Sequence, residues 1–257
     1  MRFLALIVLI NFYTAVYAGW LPPENPSPRK ILDEAREDAR AGRYEDALLK
    51  HLWFHNNALK YDRAFYGVRL SFALSDWQEL GHKYPEAMHS LEATRDMAGA
   101  NVRSSVNYYD SFNDYKSINE KLGEEEKTIQ LFRWLDKNRQ DRAKKVYRLA
   151  QSSLVRAKEY ELCSKYIDPE NSYLRYVRYF RSGLEFSKQS PFQAKAESFA
   201  YTSFSNDVAT LVALLARGGR KAEAEEVAEM AMLEWDDANF SSALSEAIEG
   251  KVPTPWP

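Results

Sequence analysis

Cysteine is almost absent from this sequence, since Cys163 is the only one among its 257 residues. A single thiol has no partner within the chain, so a framework of intramolecular disulfides is excluded. Cys163 lies in an apolar stretch with helical spacing, where a cysteine usually behaves as a small buried hydrophobe. We therefore predict an inert, buried thiol and a fold that depends on its packed core.

Long apolar runs are missing after the first 18 residues, so we expect no membrane-spanning helix in the rest of the chain. The beginning differs, because Arg2 supplies a positive charge, residues 3–16 are mostly apolar, and the small residue Ala18 follows. This pattern is typical of a secretory signal peptide cleaved after Ala18, and it predicts a periplasmic or secreted protein. An uncleaved N-terminal anchor is the alternative.

The sequence also lacks an excess of charge of either sign, because 35 basic and 37 acidic residues leave a formal net charge of -2. Proteins that bind nucleic acid usually carry a strongly basic surface, so nucleic acid is not an expected partner. Glycine-rich phosphate loops, dinucleotide fingerprints and the common serine-hydrolase motifs are absent from the sequence as well. We therefore predict no catalytic residue and no cofactor.

Proline is scarce inside the chain, although it is frequent in the lead-in at 19–28 and in the tail at 251–257. We predict that the tail is flexible. Between them, residues 29–250 carry apolar side chains three or four positions apart, without sustained alternation. This spacing predicts an all-α domain. Three prolines stand where helices could begin: Pro85, Pro169 and Pro191. Glycines between the stripes are predicted to end helices: Gly42, Gly81, Gly123, Gly218 and Gly219.

One segment combines bulky and small residues at fixed spacing. Its marked positions are Trp77, Leu80, Gly81, Tyr84 and Ala87. Large rings fill the gap between paired helices, while glycine and alanine let the backbones approach. The segment resembles the tetratricopeptide repeat, and partial copies lie at 41–48, 156–162 and 214–224. The resemblance implies an irregular α-solenoid of antiparallel helix pairs; a plain helical bundle is the alternative.

Tetratricopeptide-like arrays hold extended peptides or partner proteins in a concave groove lined by the first helix of each pair. If this resemblance holds, five polar side chains face the groove: Asp38, Asp46, Gln78, His82 and Glu86. The sequence therefore predicts a scaffold or adaptor in the cell envelope or outside the cell, with a protein or peptide as its partner.

All four histidines lie between residues 51 and 89. His51 and His55 are four positions apart on a predicted helix, which is a spacing used by helical zinc sites. Leu52 stands where the catalytic zinc motif needs a glutamate, and no third ligand is evident. We predict that this pair packs or lies at the surface, and we assign no metal site.

Glu197 is the one residue that suggests an enzyme. It begins a Glu-Ser-Phe segment that is similar to the catalytic segment of soluble lytic transglycosylases, helical enzymes that cleave peptidoglycan. The glycine-containing segment expected downstream is missing from residues 200–211. A peptidoglycan- or polysaccharide-active enzyme that uses Glu197 is therefore the alternative function.

Residues 173–181 interleave aromatic and basic side chains. Arg175, Arg178 and Arg181 are three positions apart, so they lie near one another on one side of a helix and could hold an anionic ligand. A solvated face of an amphipathic helix is the alternative. A further aromatic cluster is a candidate for an exposed patch or for core packing: Tyr108, Tyr109, Phe112 and Tyr115.

Overall fold

The computed structural model describes residues 19–104 and 107–254, and this part of the chain folds into two compact units. The first unit extends to Ala93, and the second begins at Thr94, within α5. The helices that begin in the first unit are α1 (Pro28–Arg40), α2 (Tyr44–Tyr61), a 3-10 turn (Arg63–Phe65), α3 (Tyr66–Leu70), α4 (Phe72–Lys83) and α5 (Pro85–Ser104).

The second unit continues with eight further helices. They are α6 (Tyr108–Leu122), α7 (Glu125–Asn138), α8 (Gln140–Arg156), α9 (Tyr160–Tyr166), α10 (Pro169–Gln189), α11 (Gln193–Arg217), α12 (Lys221–Glu234) and α13 (Ala238–Ile248). The described residues contain no strand, so the predicted all-α class is confirmed. None of the described helices is long and apolar enough to cross a membrane. The predicted signal peptide, residues 1–18, lies outside the described residues.

Trp77 is buried in the first unit, with 1% of its surface exposed. Its indole Nε1 donates a hydrogen bond of 2.9 Å to the carbonyl oxygen of Ala87, which joins α4 to α5. Gly81 lies inside α4, although the sequence predicted a helix end there, and a Cβ at Gly81 would come within 3.1 Å of the Met88 Cα. The missing side chain therefore allows the two helices to approach closely.

The longest helix, α11, organises the second unit because it packs against α9, α10, α12 and α13. One face of α11 is buried along its length through Phe204, Val208, Leu211 and Leu215, at the spacing of three and four that a buried helix face requires. Cys163 is fully buried in the same core, and burial raises the pKa of its thiol to about 12. The prediction of a buried cysteine is confirmed.

Three of the predicted turn glycines have left-handed backbone angles, which a glycine adopts without strain: Gly42, Gly123 and Gly219. Gly218 differs, because its φ is -79° and its small size is what matters. A Cβ at Gly218 would collide with the Cβ and Oγ of Ser164 in α9.

The substitution Gly218→Ala should therefore lower the free energy of unfolding by about 1–3 kcal/mol through overpacking, which urea titration measures. Gly67→Ala is the matched control, since open space surrounds that position in α3, and it should be neutral or slightly stabilising. Adding Ser164→Gly to Gly218→Ala removes both colliding atoms and should recover stability. If it recovers none, the collision does not explain the loss.

Candidate functional site

The exposed side of α11 presents polar residues one turn apart, at Thr202, Asn206 and Thr210. They lie opposite the apolar face of this helix because a spacing of four keeps side chains on one side. This polar side lines two cavities of the second unit, and Asn206 belongs to both. We call the two together the α11 groove.

The polar cavity has a volume of about 190 Å³. Helix α8 contributes one wall, Tyr176 of α10 contributes a second, and α11 contributes the third. The side chains that line the cavity are Arg148, Gln151, Ser152, Val155, Tyr176, Asn206, Asp207 and Thr210. Three helices therefore bring charged, amide and hydroxyl groups to one small space.

Asp207 is the only carboxylate among the side chains that line the polar cavity. Burial raises its pKa to about 6, although the positive charge of Arg175 opposes this shift. The same arrangement acts on Tyr176, whose pKa is raised by burial and then by the charge of Asp207, against the effects of Arg175 and Gln151. Burial disfavours the charged form of a carboxyl group, and a nearby positive charge favours that form.

The aromatic cavity has a volume of about 320 Å³ and lies further towards the start of α11. Trp235 stands between Tyr201 and Phe240, with ring centroids 4.7 Å and 4.9 Å away, respectively. Tyr201 and Trp235 are half-buried, whereas Phe240 is fully buried beneath them. Thr202, Ser205, Asn206 and Asn239 add hydrogen-bonding groups around these rings.

The tail of the chain lies against this cavity. Pro253 lines it, and the Nδ2 group of Asn206 donates a hydrogen bond of 2.9 Å to the carbonyl oxygen of Thr254. Residues 251–254 have no regular secondary structure. The groove therefore holds a short non-helical segment of backbone.

The five predicted groove residues lie in the first unit and differ in their exposure. Asp38 is buried and paired with Lys50 and Arg43, and Asp46 accepts a hydrogen bond from the backbone N–H of Trp20. Gln78 is half-buried, and the last two residues are exposed: His82 and Glu86.

The three predicted anion-binding arginines differ from one another in their surroundings. Arg175 lies over the ring of Tyr176, 5.1 Å from its centroid, and Arg181 forms an ion pair with Glu234. Arg178 is exposed. Of these three arginines, only Arg175 has a charge that acts on Asp207 in the polar cavity. The structure therefore does not join the three arginines into one site.

His51 and His55 are both buried, and their rings pack against Trp77 with centroids 6.2 Å and 5.9 Å away. Within the described residues, no three His, Cys, Asp or Glu side chains form a group that could hold a metal ion. Glu197 is half-exposed one turn before Tyr201, on the same side of α11, and it lines neither cavity of the groove.

Asn206, Asp207 and Trp235 were not predicted as site residues from the sequence. The available signal was the polar stripe of Thr202, Asn206 and Thr210 in a helix that is otherwise rich in apolar residues. Comparison with known proteins gave no match among family models, curated proteins or solved structures.

Proposed function

We propose that this chain is an exported helical-repeat protein that binds an extended segment of a partner protein in the α11 groove and so acts as a scaffold or adaptor. Export is supported by the signal-peptide pattern of residues 1–18, and the repeat architecture by the tetratricopeptide-like segment at 77–87. Binding is supported by the groove itself.

One observation carries the binding proposal: the groove already accommodates non-helical backbone through Asn206 and Thr254. An asparagine amide that donates to a main-chain carbonyl recognises a peptide without reading its side chains. A peptide from another protein has the same carbonyl groups, so it can replace the tail at Asn206.

The aromatic cavity supplies the apolar part of the binding energy. Tyr201 and Trp235 are rigid rings that remain half-exposed at its surface, and such rings are common at the centres of binding sites. Pro253 shows that a proline fits beside them. The preferred ligand is therefore an extended, proline-containing peptide, because proline restricts the free peptide to few conformations.

In a chain that ends at Val252, from which the competing tail has been removed, replacing Trp235 by alanine should weaken peptide binding at least about tenfold, since a central aromatic residue often contributes more than 1 kcal/mol. The probe is a fluorescein-labelled synthetic peptide with the sequence of residues 251–257, and fluorescence anisotropy measures its Kd. Asn206→Ala should weaken binding as well, because it removes the donor to the peptide carbonyl.

The matched control is Phe186→Ala on α10, whose ring is 66% exposed and lies outside the groove. A chain that ends at Val252 should bind the probe more tightly than the full chain, because the attached tail competes at a high effective concentration. In the chain that ends at Val252, an unchanged Kd in Trp235→Ala, or equal losses of affinity in Trp235→Ala and Phe186→Ala, would reject this groove as the binding site.

A further inference from the structure

The tail passes α11 in the direction opposite to that helix. Arg217, the last residue of α11, donates a hydrogen bond of 2.6 Å from its Nε group to the carbonyl oxygen of Gly250. Asn206, which lies 11 positions earlier on the same helix, donates to the carbonyl oxygen of Thr254. The tail therefore begins at the end of α11 and runs towards its start.

The separation of these two hydrogen bonds fits an extended segment. Eleven residues of an α-helix span about 16 Å, and four residues of extended chain span about 13 Å. The side chains of Arg217 and Asn206 cover the difference. Residues 251–254 have no regular secondary structure, so the tail is held through carbonyl groups at both of its ends.

Two consecutive side chains make the apolar contacts of the tail. Val252 is half-buried against the core of the second unit, and Pro253 is half-buried at the aromatic cavity. The residues on either side, Lys251 and Thr254, are exposed. Successive side chains of an extended segment point to opposite sides, so the second unit contacts both sides of the tail at these two positions.

The order of these two residues affects the shape of the segment. Proline disfavours the helical conformation in the residue before it, and a β-branched residue such as valine favours extended backbone. Valine followed by proline is therefore held extended before it binds, which reduces the entropy lost on binding. Ala209 and Ala243 line the aromatic cavity with small side chains, and this leaves room for the proline ring.

We propose that the α11 groove selects a partner segment in which a β-branched apolar residue is followed directly by proline, and that this segment lies antiparallel to α11. The residue after the proline then offers its carbonyl oxygen to Asn206. This inference rests on the proposed peptide-binding function and adds the order and the direction of the residues that the ligand presents. The positions that correspond to Lys251 and Thr254 can vary, because their side chains are exposed.

A chain that ends at Lys251 is the receptor for the test, because it leaves the places of residues 252–254 empty. It keeps the N–H of Lys251, which donates to the carbonyl oxygen of Glu246 at the end of α13. The probe is a fluorescein-labelled peptide with the sequence Lys-Val-Pro-Thr between alanines, so that it contains a single proline. The full chain should show the same order of affinities with weaker binding throughout, since its own tail competes.

Three variant peptides test the order of the residues. One has the exchanged sequence Lys-Pro-Val-Thr, and the other two replace the valine or the proline by alanine. Each alanine peptide should bind about fourfold more weakly, since it loses part of one apolar contact. The exchanged peptide has the same composition as the probe, yet it should bind at least about tenfold more weakly because both contacts are lost together.

Ala243→Leu narrows the aromatic cavity from α13, where Ala243 is half-buried. It should weaken binding of the probe about tenfold, and it should affect the peptide that has alanine in place of the proline less, because alanine needs less room. Ala238→Leu is the matched control, since Ala238 is exposed on the same helix and lies outside the cavity. This control should leave every Kd unchanged.

A nitroxide label on the peptide tests the direction of binding through the broadening of amide NMR signals. A label at the C-terminal end of the peptide should broaden the signal of Thr202 most strongly, because Thr202 lies one turn before Asn206. A label at the N-terminal end should instead broaden the signals of Arg217 and Gly250. The reverse pattern would overturn the antiparallel direction.

The outcomes separate the two proposals. If neither this probe nor the peptide of residues 251–257 binds, or if binding is insensitive to Trp235→Ala, the proposed function fails and the inference fails with it. If the peptides depend on Trp235 but the exchanged peptide binds equally well, the groove binds peptides without selecting this order, and only the inference fails. Binding of the longer peptide alone, or an unchanged Kd in Ala243→Leu, would also reject the places assigned to the valine and the proline.

Discussion

Lowering the pH from 7 to 5 should destabilise the first unit by about 4 kcal/mol, with about 2 kcal/mol from each of His51 and His55. Burial, assisted by the charge of Arg36, lowers the pKa of His51 to about 4. Burial, assisted by Arg69, lowers that of His55 to about 3. The unfolded chain therefore binds more protons than the folded chain below pH 6.5, so stability is lost as the pH falls.

The contacts of His55 explain why its neutral form is required. The Nη1 group of Arg69 lies 3.1 Å from the Nε2 atom of His55, and a guanidinium only donates hydrogen bonds. The Nε2 atom must therefore accept, which places the ring proton of the neutral form on Nδ1. Adding a proton to Nε2 would replace this hydrogen bond by a repulsion between two cations.

Urea titrations at pH 7 and pH 5, followed by tryptophan fluorescence, measure this loss. His51→Gln and His55→Gln should each reduce the difference between the two pH values by about 2 kcal/mol, since glutamine does not titrate. His82→Gln and His89→Gln are the controls, because both side chains are exposed. The explanation is wrong if the pH difference is the same in all four variants.

The sequence predicted well what depends on local spacing. Stripes of apolar residues three and four positions apart indicated helices, and the structure has helices where they lie, as with Phe204, Val208 and Leu211 in α11. The large and small residues of α4 were predicted to pack between helices, and the structure buries both Trp77 and Gly81. These features need only neighbours within one turn or one hairpin.

The sequence could not predict the groove, because its parts are distant along the chain. Arg148, Tyr176 and Asp207 meet in the polar cavity only after α8, α10 and α11 have packed. Helical periodicity determines which side of each helix is apolar, but not which polar sides will face one another. The same limit explains why Arg175, Arg178 and Arg181 suggested one site, although only the charge of Arg175 acts on Asp207 in the cavity.

The sequence also did not predict which charged side chains are buried. Asp38 was predicted to face a ligand groove, yet its side chain is only 7% exposed and is surrounded by Lys50 and Arg43. Burial raises the pKa of Asp38, but the hydrogen bonds and charges of Lys50 and Arg43 outweigh it and hold the pKa below its usual value. The carboxylate therefore joins α1 to α2.

Asp38→Asn should lower the free energy of unfolding by about 3 kcal/mol at pH 7, because it leaves the ammonium group of Lys50 buried without its main partner. Lys50 is only 8% exposed, and its second carboxylate, Glu34, is 3.7 Å away. Asp33→Asn is the matched control on the same helix, since Asp33 is 56% exposed and its pair with Arg36 should contribute less than about 1 kcal/mol.

Adding Lys50→Met to Asp38→Asn distinguishes a structural ion pair from a ligand contact. Methionine keeps the apolar stem and removes the charge, so the double variant should recover at least about half of the lost stability. A residue that only contacts a ligand would show the opposite result: Asp38→Asn would unfold at the same urea concentration as the original protein and lose binding. That outcome would support Asp38 as a residue of the predicted ligand groove and would reject its role in joining α1 to α2.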